Sequence, residues 1–314
     1  MNEDTVITEV ETVQQENKIN MLFIVNPVSG KKTAVKYMTE VIELFSNNGY
    51  FVTTMLTNKV GDATTFTVEY GKDYDIIVCM GGDGTLNEVV TGIGRTGLKT
   101  VLGYIPCGST NDFAMSHDLA SEIMEAANNI IHKDIHKYDY GIINGDNYFT
   151  YVAALGAFTA LSYGTSQSLK NKLGHAAYML GVVGELINLR SYKLKATDDT
   201  GKEYSGKFLY CSATSSTSIA GVFELPKDMV NTSDGLFEII LVRTPPNLKE
   251  LITIIRAMFS QKYEMSPYVE IFKSSKITFE TEDETVDIAI DGEKTTVQNK
   301  FVIENIKQGF SLKG

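Results

Sequence analysis

Between Asp75 and Val90 the chain reads DIIVCMGGDGTLNEVV, an apolar run that empties into three glycines with an aspartate among them. Gly81, Gly82 and Gly84 permit unusual backbone angles and let a ligand approach bare amides. Thr85 and Glu88 have capping-box spacing, which predicts a helix starting at Thr85 with Glu88 closing back on it. Free amides at a helix N-terminus attract phosphate. Asp83 would repel phosphate unless a divalent cation lay between them, and Mg²⁺ is commonly held by one or two carboxylates plus phosphate oxygens. The stretch is neither a P-loop nor a dinucleotide fingerprint. Its alternative reading is a capped tight turn with Asp83 in solvent.

Two further loops bear on that choice. NPVSGKK, Asn26 to Lys32, places a Ser-Gly turn and two lysines before a helix. PCGSTNDFA, Pro106 to Ala114, offers Gly108, two hydroxyls and the Asn111-Asp112 pair, although a polar turn with side-chain hydrogen bonds has the same composition. All three loops follow apolar runs. In a parallel sheet they would converge at the carboxyl ends of the strands, where such folds bind ligands. That convergence favours a nucleotide over three coincidental turns.

The elements that must position these loops alternate in period. INMLFIVNP, YFVTTMLT, YDIIVCM and KTVLGYIP predict buried strands. The stretches between them, TAVKYMTEVIELFSNNG, DATTFTVEYGK and LNEVVTGIG, predict helices, as does ASEIMEAANNIIH after the last. Strands alternating with helices mean a parallel sheet with right-handed crossovers. After about Lys137 the texture becomes β-rich. HKYDYGIINGDNYFTYVAALG predicts two strands around a turn at Asn144 to Asp146, and a hairpin turns at Asp199 to Gly201. Helices are expected at NLKELITIIRAMFSQ and over residues 169–189, where Lys170, Lys172 and His175 lie on a solvated face or meet lipid head groups.

Composition narrows the function classes. A chain of 314 residues, 43% hydrophobic and 21% charged, can bury its own core without staples. The net charge of −11 argues against a nucleic-acid partner and against general adsorption to anionic membranes. Cys79, Cys107 and Cys211 are odd in number and widely spaced, with no zinc pattern, which fits a reducing cytoplasm. Residues 1–18 read as an acidic, flexible leader, and no stretch is apolar enough to span a bilayer.

NPVSGK, GGDGTLNEVV, PCGSTNDFA, DYG and DGE occur here in the order of a known family. From about Ile19 onward the chain resembles the diacylglycerol kinase catalytic-domain family, and within it the soluble bacterial lipid kinases. The resemblance implies an α/β nucleotide-binding domain with a three-layer parallel sheet, followed by a β-sandwich domain. The boundaries would be 19–137 for the first and 138–304 for the second, with 305–314 returning to the first.

The resemblance also implies site residues. Asn26, Pro27, Val28, Ser29, Gly30, Thr57 and Ser109 would contact ATP, together with Gly82, Asp83, Gly84, Thr85, Leu86, Asn87 and Glu88. Asn231, Asp234 and the Leu236 carbonyl would hold a structural Mg²⁺. Read without the resemblance, Asp234-Gly235 is a hairpin turn. Glu293 or Asp291 would be the catalytic base, Glu293 by the family's usual assignment, with Asp83, Asp112 and Asp139 relaying to it through waters and metal.

Where the family often has Arg after NDFA, this chain has Met115, Ser116 and His117. The implied activity is transfer of the ATP γ-phosphate to a lipid hydroxyl, diacylglycerol first. The enzyme would visit the inner membrane surface reversibly, and a homodimer is the usual assembly. The rival readings are NAD kinase, a kinase of phosphatidylglycerol or a sphingoid base, and a regulator that binds without turnover.

Overall fold

The computed structural model describes residues 18–156, 190–219 and 223–314. The leader's residues 1–17 and the helix expected over 169–189, with Lys170, Lys172 and His175, lie outside them. In chain order the first elements are β1 (Ile19–Val25), α1 (Ser29–Asn47), β2 (Tyr50–Leu56), α2 (Asp62–Tyr70), β3 (Ile76–Gly81), α3 (Asp83–Thr96), β4 (Val101–Pro106), α4 (Asp112–Ser116) and α5 (Ile123–His132). β1 pairs parallel with β2 and β3, and β3 with β4, which gives the order β4-β3-β1-β2.

β1, β3 and β4 read as mainly apolar runs because both their faces are covered, while β2 at the edge is only partly buried. Met21, Phe23, Val25, Val78 and Met80 pack with Val41 and Phe45 of α1 and Ala127 and Ile130 of α5. Leu22, Ile24, Ile77 and Cys79 pack with Leu86, Val89, Val90 and Ile93 of α3 and Ala63 of α2. Helix, sheet and helix make the three layers. All three cysteines are buried, and burial pushes the Cys107 thiol up to about 11, so none is poised as a nucleophile.

One local expectation is overturned. α3 begins at Asp83 with Gly82 as its N-cap, not at Thr85. Glu88 does not close back on its own helix; its carboxylate accepts from Gly61 N at 2.8 Å and Ala63 N at 3.0 Å, capping α2. Thr85 is also engaged elsewhere, since its Oγ1 accepts from Asn26 Nδ2 at 3.2 Å. Tertiary partners took both halves of the box.

The rest of the chain is mostly antiparallel. It comprises β5 (Ile135–Ile143), β6 (Asn147–Phe149), β7 (Val152–Gly156), β8 (Tyr192–Asp198), β9 (Glu203–Thr214), β10 (Ser218–Ile219), β11 (Phe223–Glu224), β12 (Phe237–Arg243), α6 (Leu248–Ser260), β13 (Val269–Ser274), β14 (Lys276–Ile290) and β15 (Glu293–Lys313). The segment read as two strands around a turn forms three, β5 to β7, and β13 joins the edge of the sheet. The hairpin of β8 and β9 turns at Asp199 to Gly201, where Gly201 N donates to Asp198 O.

The strand order β13-β12-β9-β7-β14-β15 continues through β4 into the parallel sheet. β15 is the seam: it starts antiparallel to β14 at Glu293, runs along β5, and ends parallel to β4 at Leu312 and Lys313. A second apolar core, built on Phe149, Phe208, Phe237, Phe279 and Phe301, fills the β-rich half. β15 therefore carries its first residue, Glu293, from that half toward the loops of the first.

Candidate active site

The three glycine-bearing loops meet at the carboxyl ends of β1, β3 and β4. Val28 N donates to Asn26 Oδ1 at 3.2 Å, and Ser29 Oγ donates to Cys107 O at 3.2 Å. Gly30 has φ of 56°, and a Cβ there would stand 2.1 Å from Cys107 O, so the first loop lies directly on the third. A Cβ on Gly82 would stand 3.2 Å from Gly108 Cα, which brings the second loop against the third as well. Thr57, buried, follows β2 beside them with its N–H on Val25 O. Pro27 and Val28 cover the turn into α1, Val28 exposed, and Ser109 is exposed at the tip of the third loop. A cavity of about 290 Å³ opens between Gly30, Tyr37, Gly108 and the start of α5.

Among the described residues the amides of Asp83 and Gly84 have no acceptor, because intrahelical bonding starts at Thr85 N and Leu86 N, both on Gly82 O. Two free donors at the N-terminus of a 14-residue helix are groups that favour an anion.

The Asp83 side chain turns away from those amides. Its Oδ1 accepts from Phe113 N at 3.1 Å and its Oδ2 from Asp112 N at 3.0 Å, so it caps α4. Burial pushes its carboxyl up to about 6; the two amides pull it down, and Asp112 and Asp291 add to the rise. Burial also raises Asp112, against the Tyr151 hydroxyl, which donates to Asp112 Oδ2 at 3.4 Å. Among the described residues no salt bridge touches Asp83, Asp112 or Asp291. The three carboxylates thus lie close enough for Asp291 to raise both Asp83 and Asp112, with no cation among the described residues paired to any of them.

Asp291 and Gly292 form a two-residue turn between β14 and β15, with φ of 46° and 85°. Both Asp291 oxygens are taken. Oδ2 accepts from Asn87 Nδ2, Thr150 N and Thr150 Oγ1 at 2.6 to 2.8 Å, and Oδ1 from Tyr151 N and Val152 N at 3.0 Å. Glu293 differs in kind. Its side chain is exposed, and its Oε1 lies 3.2 Å from where a Cβ on Gly84 would stand, beside the first turn of α3. Asp83 and Glu293 therefore flank the same helix N-terminus.

Other expected residues are placed differently. Leu86 is wholly buried in the core beneath α3. The Asn87 amide is committed to Asp291 and to Tyr148 O, and Glu88 to α2. Their side chains hold the frame of the crevice rather than lining it. Asp139 joins neither Asp83 nor Glu293. It accepts from Gln308 N and Gly235 N, both at 2.7 Å, beside the segment from Asn231 to Leu236. Sequence reasoning passed over Thr150 and Tyr151, whose spacing carries no motif.

Asn231, Asp234 and Leu236 were expected to hold a divalent ion. Asn231 Oδ1 accepts from Ser233 N and Ser233 Oγ, and Asp234 Oδ1 from Leu236 N at 2.9 Å. Asp234 Oδ2 is 2.9 Å from the Lys273 ammonium, which also lies 3.2 Å from Oε1 of the buried Glu238. Gly235 has φ of 86°, but the turn is not a hairpin, since β12 pairs with β9 and β13. With an ammonium on its only carboxylate, this donor set does not fit a further cation. Among the described residues no three His, Cys, Asp or Glu side chains come together closely enough to hold a metal alone. No helix among them is long and apolar enough to cross a membrane.

A three-layer nucleotide-type domain joined through one strand to a β-sandwich, with a carboxylate over a free helix N-terminus, defines a class of phosphotransferases. Residues 20–143 match the model of the diacylglycerol kinase catalytic domain, and residues 156–302 that of the YegS C-terminal NAD kinase beta sandwich-like domain. The chain is 32% identical over 272 residues to a diacylglycerol kinase of Bacillus subtilis, covering 86% of this chain and 88% of that protein. It is 34% identical over 271 residues to one of Staphylococcus haemolyticus, covering 86% and 81%. A crystal structure of a diacylglycerol kinase from Bacillus anthracis superposes with a TM-score of 0.72 at 22% identity, covering 95% of this chain and 97% of that one, and so shares the fold. The chain belongs to the diacylglycerol kinase family. It is a kinase with an alcohol group as acceptor.

Proposed function

We propose that this protein transfers the γ-phosphate of ATP to the free hydroxyl of diacylglycerol, yielding phosphatidic acid. The observation that carries the reading is Glu293 Oε1 standing over Gly84, beside the two unpartnered amides that open α3. Those amides and the loop from Asn26 to Gly30 cradle phosphate oxygens, with Thr57 and Ser109 at the rim. Glu293 takes the proton of the attacking lipid hydroxyl as that oxygen bonds to phosphorus and the bond to ADP breaks. Asp291 cannot share the role, since donors occupy both of its oxygens; it fixes the turn that aims Glu293. Asp83 and Asp112 form an uncompensated acidic wall that suits a magnesium ion arriving on ATP. That ion would neutralise phosphate charge.

The names of the relatives support diacylglycerol as the acceptor. A membrane-lipid acceptor and the lack of a spanning helix among the described residues support an enzyme that meets the membrane surface peripherally, which we expect to be the inner surface, reached from the cytoplasm. We expect it to pair as a homodimer.

Purified protein with ATP, MgCl₂ and dispersed diacylglycerol should form phosphorylated lipid, and Glu293→Gln should not. Turnover of NAD to NADP, or of phosphatidylglycerol or a sphingoid base in place of diacylglycerol, would replace this reading. High salt should release any membrane-bound fraction.

A further inference from the structure

We infer that the Lys273 ammonium is a built-in cation, standing where the sequence resemblance implied a structural divalent metal, and that the Asn231–Leu236 segment is held without one. Strand register supports this. Glu238 on β12 and Lys273 on β13 are directly opposed cross-strand partners, so the register of the sheet brings the ammonium to the carboxylate. From there it reaches two carboxylates: Asp234 Oδ2 at 2.9 Å and Glu238 Oε1 at 3.2 Å. Glu238 is 1% exposed, and a carboxylate buried so deeply needs a charge partner. The Lys273 ammonium supplies that charge as an ion pair, reaching the buried carboxylate from a side chain that is itself exposed.

The remaining donors of the segment are spent internally. Asn231 Oδ1 closes a turn onto Ser233, and Asp234 Oδ1 closes one onto Leu236 N. Asp139 fastens the same segment from the other side by accepting from Gly235 N, and Asp139 N donates to Thr232 O at 2.8 Å. A divalent ion on Asp234 Oδ2 would have to take that oxygen from the ammonium and then stand beside a positive charge still held by Glu238, which is unfavourable.

The test uses nucleotide-free full-length protein, so that it does not depend on the reaction or its substrate. Metal content after extensive desalting and thermal unfolding in EDTA or in millimolar MgCl₂ are measured for the unmodified protein and for Lys273→Met. The unmodified protein should carry no stoichiometric metal and show the same Tm in EDTA and in MgCl₂. Lys273→Met, which keeps the apolar stem and removes the charge, should unfold several degrees lower. Magnesium bound at one per chain, with a Tm that drops in EDTA, overturns the inference even if the variant never folds. So does a Lys273→Met protein as stable as its parent.

Discussion

The Asn87 amide nitrogen donates to Asp291 Oδ2 at 2.8 Å, joining the helix beside the glycine-bearing loops to the turn between β14 and β15 across 204 positions of sequence. It is one of five donors on that carboxylate, and the effect is to hold Glu293, two residues on, over the start of α3.

The two acidic residues of this turn should therefore separate by assay. Glu293→Gln should lower kcat by about 10²- to 10⁴-fold, the usual worth of a general base, and leave the urea midpoint unchanged. Asp291→Asn turns an amide NH₂ toward donors of which only the Thr150 hydroxyl can also accept. It should cost about 3 kcal/mol in urea unfolding, with activity lost along with the fold. Equal loss of stability in both variants would show that Glu293 is structural.

Gly30→Ala should damage binding more than folding. Its Cβ would meet Cys107 O at 2.1 Å, in a backbone region that disfavours side chains. Relief requires the first loop to part from the third, so ATP affinity measured by calorimetry should fall at least tenfold. The strain itself should cost about 1–3 kcal/mol in urea unfolding.

Glu88→Ala tests the corrected role of a residue first read as a phosphate-loop contact. It leaves Gly61 N and Ala63 N without acceptors at the start of α2, which should cost about 1–2 kcal/mol in urea unfolding. KM for ATP should stay near the parent value. A large rise in KM with little loss of stability would return Glu88 to the nucleotide.

These contrasts show which parts of the molecule the sequence can carry. The parallel sheet was legible because strands buried on both faces are unbroken apolar runs, Leu22 to Val25 and Ile76 to Met80 among them. The convergence of the loops followed from that sheet. α4 was not legible, because five residues show no helical period and its cap, Asp83, comes from 29 positions away. Nor could spacing tell Asp291 from Glu293. That distinction depends on which residue of a tight turn faces the donors of Thr150, Tyr151 and Val152. The partnership of Glu238 with Lys273 is a matter of strand register across α6, and no local pattern announces it.

His117 predicts an acid limit to stability. The ring stacks on Phe113 at 4.0 Å and its Nδ1 sits 2.7 Å from Phe113 O, and burial pushes its pKa down to about 4. The unfolded chain then binds a proton near pH 6.5 that the folded chain refuses until about 4. This stabilisation is complete above pH 6.5 and is lost as pH falls through that window. At pH 5 the loss is about 2 kcal/mol. His117→Phe, which keeps the stacking, should remove that share of the difference between urea midpoints at pH 7 and pH 5.

Tyr151 offers the sharpest test of whether Asp112 must be ionised during turnover. Its hydroxyl is the side-chain donor on Asp112, and it holds that carboxyl down against a rise driven by burial and by Asp291. Removing the hydroxyl in Tyr151→Phe keeps the buried ring and the Tyr151 N–H on Asp291, so the Glu293 turn should be undisturbed. The Asp112 pKa should then move further up. If its ionised form is needed, the acid limb of the kcat profile should shift to higher pH, with KM for ATP unchanged at pH 8. A lower plateau with an unmoved limb would mean that Tyr151 matters for packing alone, and that Asp112 stays out of the titration that limits the rate.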